Sequence, residues 1–95
     1  SQFGYVVQWP ERDVNRPAFV VAKGQLRAGG FTLGVLRDGA WAATLNVTVT
    51  GRFDVALPVM APGRYQLTIA HALPVGSRET DFVIDQIGWA SLLTR

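Results

Sequence analysis

From Trp41 to Ile69 the chain keeps a two-residue beat. Trp41, Ala43, Leu45, Val47 and Val49 alternate with Ala42, Thr44, Asn46, Thr48 and Thr50. Phe53, Val55, Leu57 and Val59 hold the same odd-numbered phase, as do Tyr65, Leu67 and Ile69. Successive side chains of a strand point to opposite faces, whereas a helix repeats every 3.6 residues. The stretch therefore predicts three antiparallel strands sharing one apolar face, with Trp41 in the core.

Keeping odd positions on one face through each turn requires an odd number of loop residues. The expected register sets Val49 opposite Phe53 across Thr50, Gly51 and Arg52. It sets Val59 opposite Tyr65 across Met60 to Arg64, where Pro62-Gly63 is a turn signal. The outward rows would then be Thr48–Asp54–Ala70, Asn46–Ala56–Thr68 and Thr44–Pro58–Gln66. Such a surface is polar and floored by small residues, either a shallow groove or a plain solvated face. Pro58 has no N–H for a ladder, so the middle strand should bend or lose a partner there.

Around this centre the remaining segments also read as short strands. Phe3 to Gln8 is the first, closed by Trp9-Pro10, and Glu11 to Pro17 reads as a charged loop. Pro17 to Leu26 follows, with a bulge or an exposed end expected at Lys23-Gly24. Phe31 to Leu36 turns through Arg37-Asp38-Gly39 into the central stretch. Pro74 to Thr80 reads as a polar loop, and Asp81 to Trp89 as the last strand, bent at Gly88. Gly and β-branched residues interrupt every window of helical length. Ninety-five residues suit one domain, residues 1–95, and the opening Ser1-Gln2-Phe3 suggests a piece excised from a larger protein.

Composition narrows the function classes. With 48% hydrophobic and 17% charged residues, the chain is not of disordered type. No apolar run is long enough for a membrane-spanning helix. Net charge is +2, and the nine basic residues are scattered, so nucleic acid is not an expected partner. There is no Cys, which removes disulfides and thiolate zinc sites.

Catalytic chemistry has little to draw on. His71 is the sole imidazole, at the inner edge of a strand, and is expected to be structural. The seven carboxylates suggest no facing pair of the kind a glycosidase uses. Glu79, Asp81 and Asp85 offer hard oxygen ligands for calcium, but without the loop spacing of a calcium motif they read as solvated charges. No cofactor or metal is expected. Asn46-Val47-Thr48 matches the glycosylation sequon, meaningful only in a eukaryotic secretory pathway.

The aromatics are more informative. Trp9 beside Pro10, and Trp89 after Gly88, fall where loops of a sandwich gather. An indole there can lid the core or offer a flat face on which a sugar ring stacks. Tyr5 and Tyr65 have the same two readings.

The run Pro62-Gly63-Arg64-Tyr65-Gln66-Leu67-Thr68-Ile69-Ala70, followed by Phe82-Val83-Ile84-Asp85-Gln86-Ile87, resembles the closing half of galactose-binding-like jelly rolls. These include many carbohydrate-binding modules. Fibronectin-like and immunoglobulin-like domains also use a P-G-x-Y-x-L strand, and this chain is short for a carbohydrate-binding module. The resemblance covers the last third of the chain and implies architecture more than ligand. The expected fold is all-β: an antiparallel β-sandwich, jelly-roll-like first and immunoglobulin-like second. The expected function is a non-catalytic accessory module, extracellular or periplasmic, that binds carbohydrate or a protein surface. Trp9 and Trp89 would stack, and Asn46, Asp54 and Gln66 would hydrogen-bond. The rival is a structural spacer or assembly domain that docks to its own protein or forms homo-oligomers.

Overall fold

The turn at Asp38-Gly39 is where local chemistry is plainest. Both residues have positive φ, 55° and 81°, as a two-residue hairpin with matching strand twist requires. It joins β4 (Phe31–Arg37) to β5 (Ala40–Val47). The computed structural model describes residues 5–71 and 80–91, with side chains from 7 to 70 and from 80 to 91. The other strands are β1 (Tyr5–Gln8), β2 (Arg12–Val14), β3 (Ala18–Ala28), β6 (Gly51–Val59), β7 (Gly63–His71) and β8 (Asp81–Ser91).

They form two antiparallel sheets. The larger runs β1-β7-β4-β5, with β2 also on β7, and the smaller runs β6-β3-β8. Three pairs nest inside one another: β4 with β5, β3 with β6, and β2 with β7. The inner faces meet at Phe31, which stacks on Phe82 at 4.6 Å and meets Phe53 edge-on at 5.4 Å. One ring comes from the larger sheet and two from the smaller. Around them Val20, Leu26, Leu33, Val35, Leu67 and Ile69 are buried. Each such side chain contributes about 1.5–3 kcal/mol on leaving water.

Odd positions point inward over most of the expected range, including Val47, Phe53, Leu57, Val59, Tyr65, Leu67 and Ile69. The expected three-strand meander is not formed. The β5–β6 connection passes from one sheet to the other, so β6 lies in the smaller sheet instead of beside β5 and β7. Alternation sets which side of a strand is apolar but is blind to whether its partner is adjacent or opposite. Val49 therefore does not pair with Phe53 and is 79% exposed in the connection. The outward rows proposed across the three strands do not exist.

Trp41 is a second correction. The β4–β5 register slips between Val35 and Leu36, leaving Ala42 as an extra residue. This bulge turns Trp41 off the core phase, and it is 40% exposed. A third is Arg12–Val14, which forms a strand on β7 within the expected loop. Gly88 marks no break in register and pairs with Val21 in a continuous ladder.

One other expectation holds. A register slip occurs at Lys23/Gly24, where Asp85 of β8 is the extra residue. The partner loss expected at Pro58 does not occur: β6 is an edge strand with one partner, and its register with β3 runs through Phe19–Pro58 without a shift. The side chains of Phe3, Tyr5 and His71, the Pro74–Glu79 stretch and residues 92–95 lie outside the described residues.

Candidate functional site

The site begins with a strand that is interrupted. β1 and β2 share the same side of β7, against its two halves, because β4 occupies the other side. Between them Trp9-Pro10-Glu11 carries the chain along the sheet edge, held by the Trp9 N–H donating to the Leu67 carbonyl at 3.0 Å. Across from this edge lies β8, the edge of the smaller sheet. No pairing joins β8 to β1 or β2, so an open seam separates the sheets on this side.

Two adjoining hollows lie in the seam. One, about 300 Å³, is lined by Trp9, Pro10, Glu11, Arg12, Leu67 and the Ile87–Trp89 stretch. The other, about 250 Å³, has Arg12, Asp13, Asn15 and Arg16 on one wall and Trp89 and Ser91 on the other. Arg12 and Trp89 belong to both. The Arg12 guanidinium lies 5.9 Å from the Trp89 ring centre, within cation–π range. Trp9 and Trp89 are both half-buried and pack on the core with one side.

Strand phase sorts the charges. Val14 of β2 is buried against the core, so Arg12, two residues earlier, points to the same inner side. Asp13 points outward and is in register with Arg64. Glu11 is drawn to that outer side by Arg64 Nε, 2.9 Å from its carboxylate. The inner side is thus left with Arg12 and, at its far end, Arg16.

The expected site residues fall in three places. Trp9 and Trp89, 80 positions apart in the chain, meet in the seam. Asn46 and Gln66 stand on the outer face of the larger sheet. There Asn46 Oδ1 accepts from Thr32 Oγ1 at 2.7 Å, and Gln66 Oε1 accepts from Gln8 Nε2 at 3.5 Å. Asp54 lies on the outer face of the other sheet, 3.9 Å from Lys23 Nζ, with both side chains mostly in solvent. One surface therefore cannot use all five.

Sequence reasoning missed Arg12 and Arg16, because charge in an expected loop says nothing about direction. The missing signal was the Arg12–Val14 alternation ending on an apolar Val. It also missed Trp41 as an exposed indole on the face that bears Asn46 and Gln66.

Asp81 and Asp85 have arginine neighbours, Arg27 at 3.9 Å and Arg52 at 3.1 Å. No group of three metal-ligating side chains exists among the described residues, and Glu79 lies outside them. Nor is any helix among them long and apolar enough to cross a membrane. No protein-family model, curated protein or solved structure matches the chain.

Proposed function

We propose that the chain is a non-catalytic module that binds carbohydrate in the open seam, as an accessory part of a larger extracytoplasmic protein. The observation carrying this reading is the convergence of Trp9 and Trp89 in one solvent-open hollow beside Arg12. Aromatic faces take the apolar side of a sugar ring, and flanking charged groups take its hydroxyls.

The strand order supports a jelly-roll reading. Folding a chain as one long hairpin about the β4–β5 turn pairs β3 with β6 and β2 with β7, as here. It would also pair β1 with β8, and β1 instead lies on β7. The seam is then the consequence of that displaced first strand. An immunoglobulin-like arrangement has less support, since it keeps the last two strands in one sheet, and β7 and β8 are in different sheets.

Binding is tested by tryptophan fluorescence in a Trp41→Phe background, which leaves only the two seam indoles. Titration against a broad glycan panel should shift emission for at least one sugar. Trp9→Ala or Trp89→Ala should weaken that sugar about tenfold, the equivalent of roughly 1.4 kcal/mol. Undiminished binding by the variant lacking both indoles, read by calorimetry, would remove the seam from consideration, and silence across the panel would remove carbohydrate.

A second reading, an assembly domain, has its own observation. On the outer face of the smaller sheet, the cross-strand rows Pro58–Phe19–Ala90 and Ala56–Val21–Gly88 carry no polar side chain. Outer faces of antiparallel sheets are ordinarily polar. Light scattering that finds a dimer disrupted by Val21→Lys, together with silence on the glycan panel, would favour this reading.

A further inference from the structure

We propose that the carbohydrate held in the seam is acidic, its ring against Trp9 and Trp89 and its anionic group against Arg12 and Arg16. This rests on the carbohydrate reading above and adds the chemical class of ligand. The arrangement of charge carries it. Four acidic or basic residues line the two hollows, Glu11, Arg12, Asp13 and Arg16. The two carboxylates are both associated with Arg64 on the outer side of the edge, one by ion pair and one by register. The two guanidinium groups have no ion pair at 4.0 Å or less among the described residues.

Arg12 points across the seam to the Trp89 ring and so stands between the hollows. A sugar on the indoles would have its neighbouring substituent beside Arg12, and the next unit would lie toward Arg16 and Asn15. A planar guanidinium matches a carboxylate or sulfate with two parallel hydrogen bonds, whereas a neutral hydroxyl uses only one of its donors. A ligand without charge would leave both cations without a counterion where solvent is partly displaced, which is unfavourable. The chemistry is therefore an anionic oligosaccharide, whether the charge is a uronic carboxylate or a sulfate ester.

The test uses the Trp41→Phe protein and short fragments of galacturonan, alginate, hyaluronan and a sulfated galactan. Neutral galactan, chitin and methyl-esterified galacturonan fragments are measured in parallel. At least one acidic fragment should bind about tenfold or more tighter than its neutral counterpart, and raised salt should erode that margin. Arg16→Gln and Arg12→Gln should each reduce the margin, and together abolish it, while affinity for the neutral fragment changes less than threefold (about 0.7 kcal/mol). Arg16 is exposed, so Arg16→Gln should fold normally. Neutral fragments binding as well as acidic ones would overturn the acidic assignment and leave the carbohydrate reading intact. So would a margin surviving in the Arg12→Gln/Arg16→Gln double variant. If no fragment of either kind binds, both readings fall.

Discussion

Trp41 and Trp89 lie near strand bulges, and the two bulges send them to opposite sides. On β5 the extra residue is Ala42, and it takes Trp41 out of the inward series Ala43, Leu45, Val47. The indole then covers Gly34 on the outer face, where a methyl in place of the glycine hydrogen would meet the ring at 2.5 Å. On β8 the extra residue is Asp85. The inward set changes there from Phe82 and Ile84 to Ile87 and Trp89. Without that bulge, with Asp85 paired in a regular ladder, Trp89 would share the outer face with Val83. A two-residue beat is reliable only between bulges, and one inserted residue decides whether an indole faces solvent or the seam.

The β8 bulge is the more tightly enforced, and breaking it should have the largest effect. A Cβ at Gly24 would sit 2.0 Å from the Val83 carbonyl oxygen and 2.9 Å from Phe53 Cζ. The first obstacle is backbone, which a rotamer change cannot relieve. Gly24→Ala should destabilise the fold by about 3 kcal/mol, read as a lowered urea midpoint. A loss below about 1 kcal/mol would mean that β8 can abandon the bulge freely, and the phase of Trp89 would no longer be fixed by it.

The bulge beside Trp41 should be more forgiving. At Gly34 the closest obstacle is the indole, which can swing away, although the Ala43 carbonyl oxygen at 2.7 Å remains. Gly34→Ala should therefore cost about 1–2 kcal/mol and shift Trp41 emission to the red in a background lacking Trp9 and Trp89. Adding Trp41→Ala should recover part of that loss, a coupling read from the double-mutant cycle. Strict additivity would mean that the ring does not rest on Gly34.

How much of this was legible follows from the same two bulges. The inward residues of β6 and β7 could be read directly, because neither strand carries a bulge within the expected range. The hairpin at Asp38-Gly39 was legible because φ > 0 has few residue solutions. Sheet membership was not, since a strand lying beside β7 and a strand in the opposite sheet give the same alternation. The grouping of Asn46, Asp54 and Gln66 on one surface does not hold for that reason, because it rests on a meander that the chain does not form. Trp9 and Trp89 were found separately from local context. That they meet depends on β1 lying on β7 and β8 on β3, long-range pairings with no local mark.

The smallest expected effect tests the phase of β8 most directly. Gly88 lines the seam hollow next to Trp89, yet it pairs with Val21 on the outward side, and a Cβ added to it meets nothing within 4 Å. Its contribution to the hollow is then backbone alone. Gly88→Ala should leave affinity for the proposed glycan unchanged and raise stability by up to about 0.5 kcal/mol, because glycine loses more freedom than alanine on entering a strand. The neighbouring position should behave differently, with Trp89→Ala weakening the same ligand about tenfold. A methyl at 88 that blocks binding would put this side chain inside the seam. By alternation it would then put Trp89 outside, and the two indoles of the site could no longer share a ligand.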